Sequence, residues 1–162
     1  MEEKTNVMRA LDAKKIKYKS YSYVGTDAIS GVEVANAINA NVNQVFKTLV
    51  TVGKSNNHYV FVVPAQEELD LKKAAKSVGE KSIEMLKQKD LLPLTGYIHG
   101  GCSPIGMKKF FKTVIDASAK NFDTIIFSAG KIGYQVEVTL EDLSKVIRFE
   151  LEDITKEKQV FT

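Results

Sequence analysis

One residue suited to chemistry is a lysine inside an apolar, strand-like run. Lys47 lies in residues 45–52, and strict alternation places it on the same side of that strand as Val45 and Leu49. Both sides of the strand are mainly apolar, so the ammonium group must find a partner or reach a cavity. Lys47 is therefore either a charge at the floor of a pocket for an anionic or carbonyl ligand, or an edge-strand lysine whose stem reaches solvent.

A second candidate is the glycine-rich stretch at residues 99–109, which reads HGGCSPIGMKK. Glycine permits positive φ, and such a loop can leave backbone N–H groups pointing at an oxyanion or a phosphate. The spacings GxxxxGK[ST] and GxGxxG are absent, which excludes a P-loop and a dinucleotide fingerprint. The alternative is a tight turn between two elements. A second small-residue loop, SAGKIG at residues 128–133, follows a strand-like run in the same way.

The glycine-rich stretch also contains Cys102, the one cysteine of the chain. A catalytic thiol needs a nearby base, normally a histidine, and a lowered pKa. The positions of His58 and His99 in the sequence do not place either histidine beside Cys102. One cysteine and two scattered histidines match no metal-ligand spacing, and the carboxylates offer no obvious catalytic pair. We therefore expect an inert, half-buried Cys102, and neither a metal nor a cofactor.

Length and composition describe an ordinary globular protein. The chain has 162 residues, 44% of them hydrophobic and 27% charged, and a formal net charge of +3. No apolar run approaches the roughly 18 residues of a membrane span, and the first residues lack the basic and apolar regions of a signal peptide. A single cysteine gives no internal disulfide. We expect a cytoplasmic protein with no membrane partner and one domain over residues 1–162, whose core is residues 5–150, followed by a short tail.

The lysines are clustered along the chain rather than evenly spread. Three clusters occur within residues 14–19, 72–76 and 108–112. If these clusters converge in space they form a modest phosphate-binding rim. The alternative is a set of solvated helix faces.

The hydrophobic patterns predict a mixture of helices and strands without strict alternation. Helices are expected at residues 6–14, 30–39, 70–78 and 140–146, with one helical turn at 87–92 before Pro93. Strands are expected at residues 18–23, 45–52, 59–63, 82–85, 113–116, 124–128 and 134–138. Thr5 and Ser30 are expected to cap helices, the latter in a capping box with Glu33. The fold class is α+β with a mixed sheet.

Five segments of the chain, in order, resemble the YbaK family of aminoacyl-tRNA deacylases, which is related to the editing insertion domain of prolyl-tRNA synthetase. These segments are VFKTL at 45–49, LDLKKAAK at 69–76, TGY at 95–97 leading into GGCSPIGMKK at 100–109, TVIDAS at 113–118 and SAGKIG at 128–133. The resemblance covers about residues 5–150. It is closest to the free-standing members that clear Cys-tRNA(Pro).

The resemblance implies a single α+β domain with a mixed β-sheet or barrel-like core and surrounding helices. It also implies roles for particular residues. Catalytic roles fall to Lys47, Gly101 and Ser103, and substrate-binding roles to Tyr23, Gly100, Ser128, Gly130, Lys108 and Lys109. Tyr21 lies close enough to compete with Tyr23 for its role. Two departures stand out, because Cys102 replaces an aliphatic residue of many relatives and Gln135 replaces an aspartate of some.

The expected activity is therefore trans-editing, in which a mischarged amino acid, cysteine above all, is removed from tRNA(Pro). An aminoacyl ester is already activated, so such a site has to position the ester and stabilise the tetrahedral oxyanion rather than supply a strong nucleophile. In the cysteine-clearing branch the family implies that the substrate thiol attacks its own carbonyl. Prolyl-tRNA synthetase is the expected protein partner. The alternative is a non-catalytic module that binds tRNA or a nucleotide, or a regulatory partner protein.

Overall fold

The computed structural model of the chain describes residues 4–157, which form helices around a mixed five-stranded β-sheet and an antiparallel three-stranded one. The helices are α1 (Asn6–Ala13), α2 (Gly31–Ala37), α3 (Leu71–Val78), α4 (Gln88–Thr95) and α5 (Leu140–Leu143). The strands are β1 (Lys19–Ser22), β2 (Phe46–Gly53), β3 (His58–Pro64), β4 (Ile83–Met85), β5 (Lys112–Asp116), β6 (Ile125–Ser128), β7 (Tyr134–Val138) and β8 (Glu150–Glu152). No helix among the described residues is both long and apolar enough to cross a membrane.

The larger sheet has the order β4-β2-β3-β5-β8, and the smaller has the order β1-β7-β6. In the larger sheet β2 pairs with β3 and β4 antiparallel, whereas β5 pairs parallel with β3 and with β8. A single parallel bridge between Val45 and Ile126 brings the start of β2 against β6 and so joins the two sheets. The expected α+β class with a mixed, barrel-like sheet is confirmed.

The apolar core lies between the two sheets, where α1 closes it. Val50 of β2 and Phe127 of β6 are buried there with Leu11 of α1. A second cluster covers the other face of the larger sheet, where Ala74 of α3 is buried with Phe61 of β3. Both faces of β2 are therefore covered along part of its length, which is why its sequence is apolar on both sides.

The helix boundaries follow the expected capping chemistry. The Thr5 hydroxyl accepts from the backbone N–H of Met8 at 3.2 Å, and Ser30 and Glu33 form the reciprocal bonds of a capping box. At the other end of α3, Gly79 takes the left-handed conformation with φ of 74°. These local signals specify the ends of α1, α2 and α3 to within a residue or two of the predicted bounds.

Two predicted helix ends are wrong, and one strand was not predicted. The turn expected to end before Pro93 continues as α4 to Thr95, because the carbonyl that Pro93 leaves unpaired belongs to the exposed first turn and can bond to water. α5 ends at Leu143 rather than residue 146, since the next residues form i to i−3 bonds such as Val146 N–H to the Leu143 carbonyl. β8 was not predicted, because a short acidic edge strand carries no apolar alternation.

Candidate functional site

An opening with converging polar groups lies in the gap between β2 and β6. The two strands run parallel and touch at the bridge between Val45 and Ile126. Beyond the bridge they separate, and a cavity of about 440 Å³ fills the gap, lined by residues 46–50 on one side and Ser128 on the other. This volume lies within the range typical of small-molecule sites. The cavity is called the seam pocket below.

Lys47 lies in the wall of the seam pocket. Its side chain is half-buried and forms no hydrogen bond or ion pair with any residue in the range 4–157. Burial lowers the pKa of Lys47 from its ordinary value of 10.5, and the nearby carboxylates of Glu68 and Glu67 oppose this shift. A partly desolvated cation of this kind gains much from an anionic ligand, so the geometry matches a charge that waits for a phosphate or a developing oxyanion.

Two backbone N–H groups of the glycine-rich stretch are available to a ligand in the pocket. The N–H of Gly101 donates to the Ile98 carbonyl at 3.0 Å and is therefore already used. Gly100 and Cys102 both line the seam pocket, and within residues 4–157 their N–H groups donate to no other protein group. Gly100 has a φ of 90°, a conformation that favours glycine. The loop thus supplies a donor side to the pocket.

Two residues of the pocket lining carry a side-chain oxygen without a partner among the described residues. Thr48 and Gln135 both line the seam pocket, and the Oγ1 atom of Thr48 and the Oε1 atom of Gln135 are buried without a hydrogen-bond partner among the described residues. Gln135 is only 6% exposed. Buried acceptors are rarely left unpaired, and their desolvation carries a cost of about 1–3 kcal/mol each. Both atoms have almost no accessible surface, so a side-chain rotation must precede any hydrogen bond from a ligand in the pocket.

The structure separates the two candidate tyrosines. Tyr23 is 7% exposed and lines the seam pocket. Its backbone N–H donates to the Gly133 carbonyl at 2.8 Å, which ties it to the loop after β6. The hydroxyl of Tyr21 instead donates to Glu137 on β7 at 2.5 Å, and this bond raises the pKa of Tyr21 to about 12. Tyr23 is the one placed to contact a ligand.

The second loop contributes one side chain to the pocket. Ser128 lines the cavity and its Oγ accepts from the N–H of Gly130 at 3.0 Å, so its own O–H remains able to donate. Gly130 does not line the pocket. Its φ is 88°, and a Cβ there would lie 2.9 Å from the Cγ2 of Val7, so glycine is required by packing. Gly130 thus acts on the pocket through Ser128.

Four further residues with predicted roles lie outside the pocket lining. Ser103 is fully buried, and its Oγ accepts from the N–H of Ile105 at 3.3 Å. A Cβ on Gly101 would approach the backbone N of Ile132 to 3.3 Å, so this glycine permits close packing of the two loops. The ammonium of Lys108 donates to the Pro93 carbonyl at 3.3 Å, and Lys109 lines a separate groove.

Cys102 lies against the pocket without the features of a nucleophile. Burial raises the pKa of the Cys102 thiol to about 12, which keeps it protonated at neutral pH. His99 lines the same cavity, but no hydrogen bond joins it to Cys102 within the described part of the chain. The expected half-buried placement of Cys102 is confirmed. No group of three His, Cys, Asp or Glu side chains among residues 4–157 is arranged to hold a metal ion.

Some of the pocket was not found from the sequence. Thr48 was placed on an apolar face only, and the wall formed by Leu86, Gln88 and Leu91 near α4 was not predicted. The start of α4 reaches the pocket because the Leu86 N–H donates to the Val50 carbonyl at 3.1 Å.

Comparison with protein families and known proteins gives consistent matches over most of the chain. A family model described as an aminoacyl-tRNA editing domain matches residues 27–146. An Enterococcus faecalis protein, EbsC, is named as a candidate Cys-tRNA(Pro)/Cys-tRNA(Cys) deacylase. It is 44% identical over 155 residues, which cover 95% of this chain and 94% of the relative.

Solved structures share the same fold. One is described as a candidate trans-editing enzyme for prolyl-tRNA synthetase, with a TM-score of 0.83, 23% identity, and coverage of 96% of this chain and 100% of that one. Another was used as a scaffold for epitope backbone grafting. It has a TM-score of 0.82 and 25% identity, and the match covers 94% of this chain and 96% of that one. The two-sheet architecture around the seam pocket is therefore a recurring fold.

Proposed function

The chain belongs to the aminoacyl-tRNA editing domain family and is an aminoacyl-tRNA deacylase, and we propose that its preferred substrate is Cys-tRNA(Pro). The family model spans residues 27–146, which include the strands that form the seam pocket. The relative named for Cys-tRNA deacylation is similar over nearly the whole length of both chains. These similarities support cysteine as the amino acid and tRNA(Pro) as one carrier.

The observation that carries the proposal is the division of the seam pocket into a donor side and an acceptor side. An aminoacyl ester has one carbonyl oxygen that accepts hydrogen bonds and one α-ammonium that donates them. The N–H groups of Gly100 and Cys102 suit the carbonyl, and the oxygen atoms of Thr48 and Gln135 suit the ammonium. The end torsion of a glutamine is soft, so its amide can turn toward a ligand.

Lys47 binds the phosphate of the terminal nucleotide in this arrangement. The ammonium is half-buried and unpaired among residues 4–157, so a phosphate oxygen compensates its lost hydration. Tyr23 and Ser128 complete the wall next to the ester. Gly101, Ser103 and Gly130 act as positioning residues, because they fix the two loops rather than touch the substrate.

The reacting thiol belongs to the substrate. Its sulfur attacks the ester carbonyl to form a C–S bond, the C–O bond to the ribose breaks, and the thiol proton passes to the departing ribose oxygen. The negative charge that develops on the carbonyl oxygen is stabilised by the two backbone N–H groups. This route fits a pocket whose own thiol has a pKa that burial raises to about 12.

We also propose that prolyl-tRNA synthetase supplies part of the tRNA selection. Only one terminal nucleotide and its ester fit a cavity of about 440 Å³, so the pocket itself reads little of the tRNA. The trans-editing description of a protein with the same fold is consistent with such a partnership.

The test is deacylation of purified Cys-, Ala- and Ser-tRNA(Pro), each with and without prolyl-tRNA synthetase. We expect Cys-tRNA(Pro) to lose its amino acid fastest, and Lys47→Ala to abolish turnover while the protein remains folded by circular dichroism. If no amino acid is released above the uncatalysed rate under any condition, the deacylase assignment fails and a binding module remains. If Ala-tRNA(Pro) is cleaved fastest, the cysteine preference is wrong.

A further inference from the structure

A second surface, away from the seam pocket, combines an exposed aromatic ring with unpaired cations. Phe110 is 65% exposed, although the next residue, Phe111, packs against the core and contacts the ring of His58 edge-on at 6.1 Å between centroids. Three shallow grooves of about 180, 470 and 390 Å³ meet at Phe110 and Ile147. The Phe110 surface is defined here as Lys109, Phe110, Lys112, Lys145, Ile147 and Arg148.

The charge on this surface is predominantly positive and mostly uncompensated. Lys109, Lys112 and Arg148 are exposed and form no ion pair among residues 4–157. Lys145 is bonded to Asp142 at 3.0 Å, and Glu150 is the carboxylate that lines one of the grooves. Three free cations around an exposed phenyl ring match the chemistry of a nucleic acid, which presents phosphates and flat bases together.

One residue of this surface, Lys112, lies on the same face of the larger sheet as Lys47. In the register of β3, Lys47 is opposite Val63 and Lys112 is opposite Tyr59, and directly opposed side chains share a face. Four residues along β3 at about 3.3 Å each and two strand spacings of about 4.8 Å place the two Cα atoms roughly 16 Å apart. A nucleic acid whose 3′ end lies at Lys47 can therefore reach Lys112, one cation of the Phe110 surface, within a few nucleotides.

We propose that the Phe110 surface binds the tRNA body of the substrate, with Phe110 stacked on an unpaired base and the cations on the flanking phosphates. The proposal rests on the deacylase function of the seam pocket and adds a second contact to it. It also gives Lys109 a role at a distance from the ester. The stretch 99–109 would thus have two functions, because its first residues line the seam pocket and its last residue lines a groove beside Phe110.

The test compares two substrates that share the ester and differ in the tRNA body. One is full-length Cys-tRNA(Pro), and the other is a cysteinyl-CCA trinucleotide. For Phe110→Ala we expect KM for the full tRNA to rise about 5- to 150-fold, the range of one base–aromatic stack. The value of kcat should stay within twofold on both substrates, and Phe110→Tyr should restore binding.

The cations are tested through salt dependence. The double variant Lys112→Ala/Arg148→Ala should make the slope of log affinity against log salt less negative by about 1.4 to 1.8 for the full tRNA. The control is Lys81→Ala, since Lys81 is an exposed lysine beside β4, at the opposite edge of the sheet from β8. The control should leave both the slope and KM unchanged.

The outcomes separate this proposal from the deacylase function. Wild-type protein that cleaves neither substrate refutes the deacylase function, on which the surface depends. Surface variants with unaltered KM and salt slope on the full tRNA overturn the proposal while the deacylase function stands. If the variants affect only the stimulation by prolyl-tRNA synthetase, the surface is a protein interface and the proposal is wrong.

Discussion

Replacing Gln135 by methionine should make the protein more stable and a poorer enzyme at the same time. The Oε1 atom of Gln135 is buried and accepts no hydrogen bond within residues 4–157. Methionine has a similar length and volume but lacks the polar amide, so it fills the same space without leaving an unpaired acceptor. In the proposed mechanism, however, that acceptor binds the α-ammonium of the substrate.

The two effects have separate magnitudes. An unsatisfied buried acceptor costs about 1–3 kcal/mol, and recovering part of that should raise the free energy of unfolding by about 1 kcal/mol. For a chain of this size the corresponding rise in Tm is about 2–4 °C. A hydrogen bond to a charged group contributes about 1.5–3 kcal/mol, so its loss should lower kcat/KM about 10- to 150-fold.

The assay pairs urea unfolding with deacylation of Cys-tRNA(Pro) and of its N-acetylated form. Acetylation removes the ammonium, so Gln135→Met should lower kcat/KM for the free amine and leave the slower cleavage of the acetylated ester unchanged. Gln44→Met is the matched control, because the Nε2 of Gln44 donates to the carbonyl and hydroxyl of Thr124 at 2.9 and 2.7 Å. That variant should lose stability and keep its activity.

Two results would refute this reasoning. If Gln135→Met destabilises the protein as much as Gln44→Met does, then the Oε1 atom of Gln135 already accepts a hydrogen bond in solution. If kcat/KM falls by the same factor for the free and the acetylated substrate, Gln135 does not read the ammonium. Either result would remove Gln135 from the acceptor side of the pocket.

Three further predictions concern other residues of the site. Lys47→Met should reduce turnover at least 100-fold, the scale of a missing charge-stabilising group. The same variant should raise Tm at neutral pH. The reason is that burial lowers the pKa of Lys47, which means that the charged lysine destabilises the folded state. That stability advantage should shrink as pH rises through the lowered pKa toward 10.5, as followed by thermal melts; a constant advantage would contradict the burial argument. Cys102→Ala should keep most activity in the deacylation assay, and a loss on the order of 10³-fold would contradict an inert thiol. Gly130→Ala should lower Tm more than Gly25→Ala in calorimetry, since both have positive φ but only Gly130 faces a close contact, and equal losses would contradict the packing argument.

The sequence predicted those parts of the fold that depend on local signals. The capping box of Ser30 and Glu33 and the left-handed Gly79 fix helix ends through bonds between near neighbours. Lys47 was identified because a charge in a doubly apolar strand conflicts with the cost of its burial. The predicted helix end before Pro93 was wrong. A proline usually ends a helix because it leaves one backbone carbonyl unpaired, but here that carbonyl is exposed to water, and its exposure depends on the tertiary fold.

The finer chemistry of the site was outside the reach of the sequence because it depends on pairing across the fold. The sequence does not distinguish Gly100 from Gly101, yet only the N–H of Gly101 donates to the Ile98 carbonyl. Thr48 and Gln135 come from different sheets, and nothing in their spacing shows that both oxygen atoms end without partners. Tyr23 and Tyr21 differ in role because the hydroxyl of Tyr21 donates to Glu137, a contact that the sequence does not reveal.

The single bridge between Val45 and Ile126 has a mechanical consequence. A molecule bound where β2 and β6 part contacts both sheets and acts as a removable clamp between them. Its binding free energy then adds to the cohesion of the domain by RT ln(1 + [L]/Kd). Cleavage of the ester divides the bound molecule into an amino-acid part and a tRNA part. Neither part alone contacts both sheets as the intact substrate did, so each is held less tightly. Release of both products therefore follows from the cleavage itself.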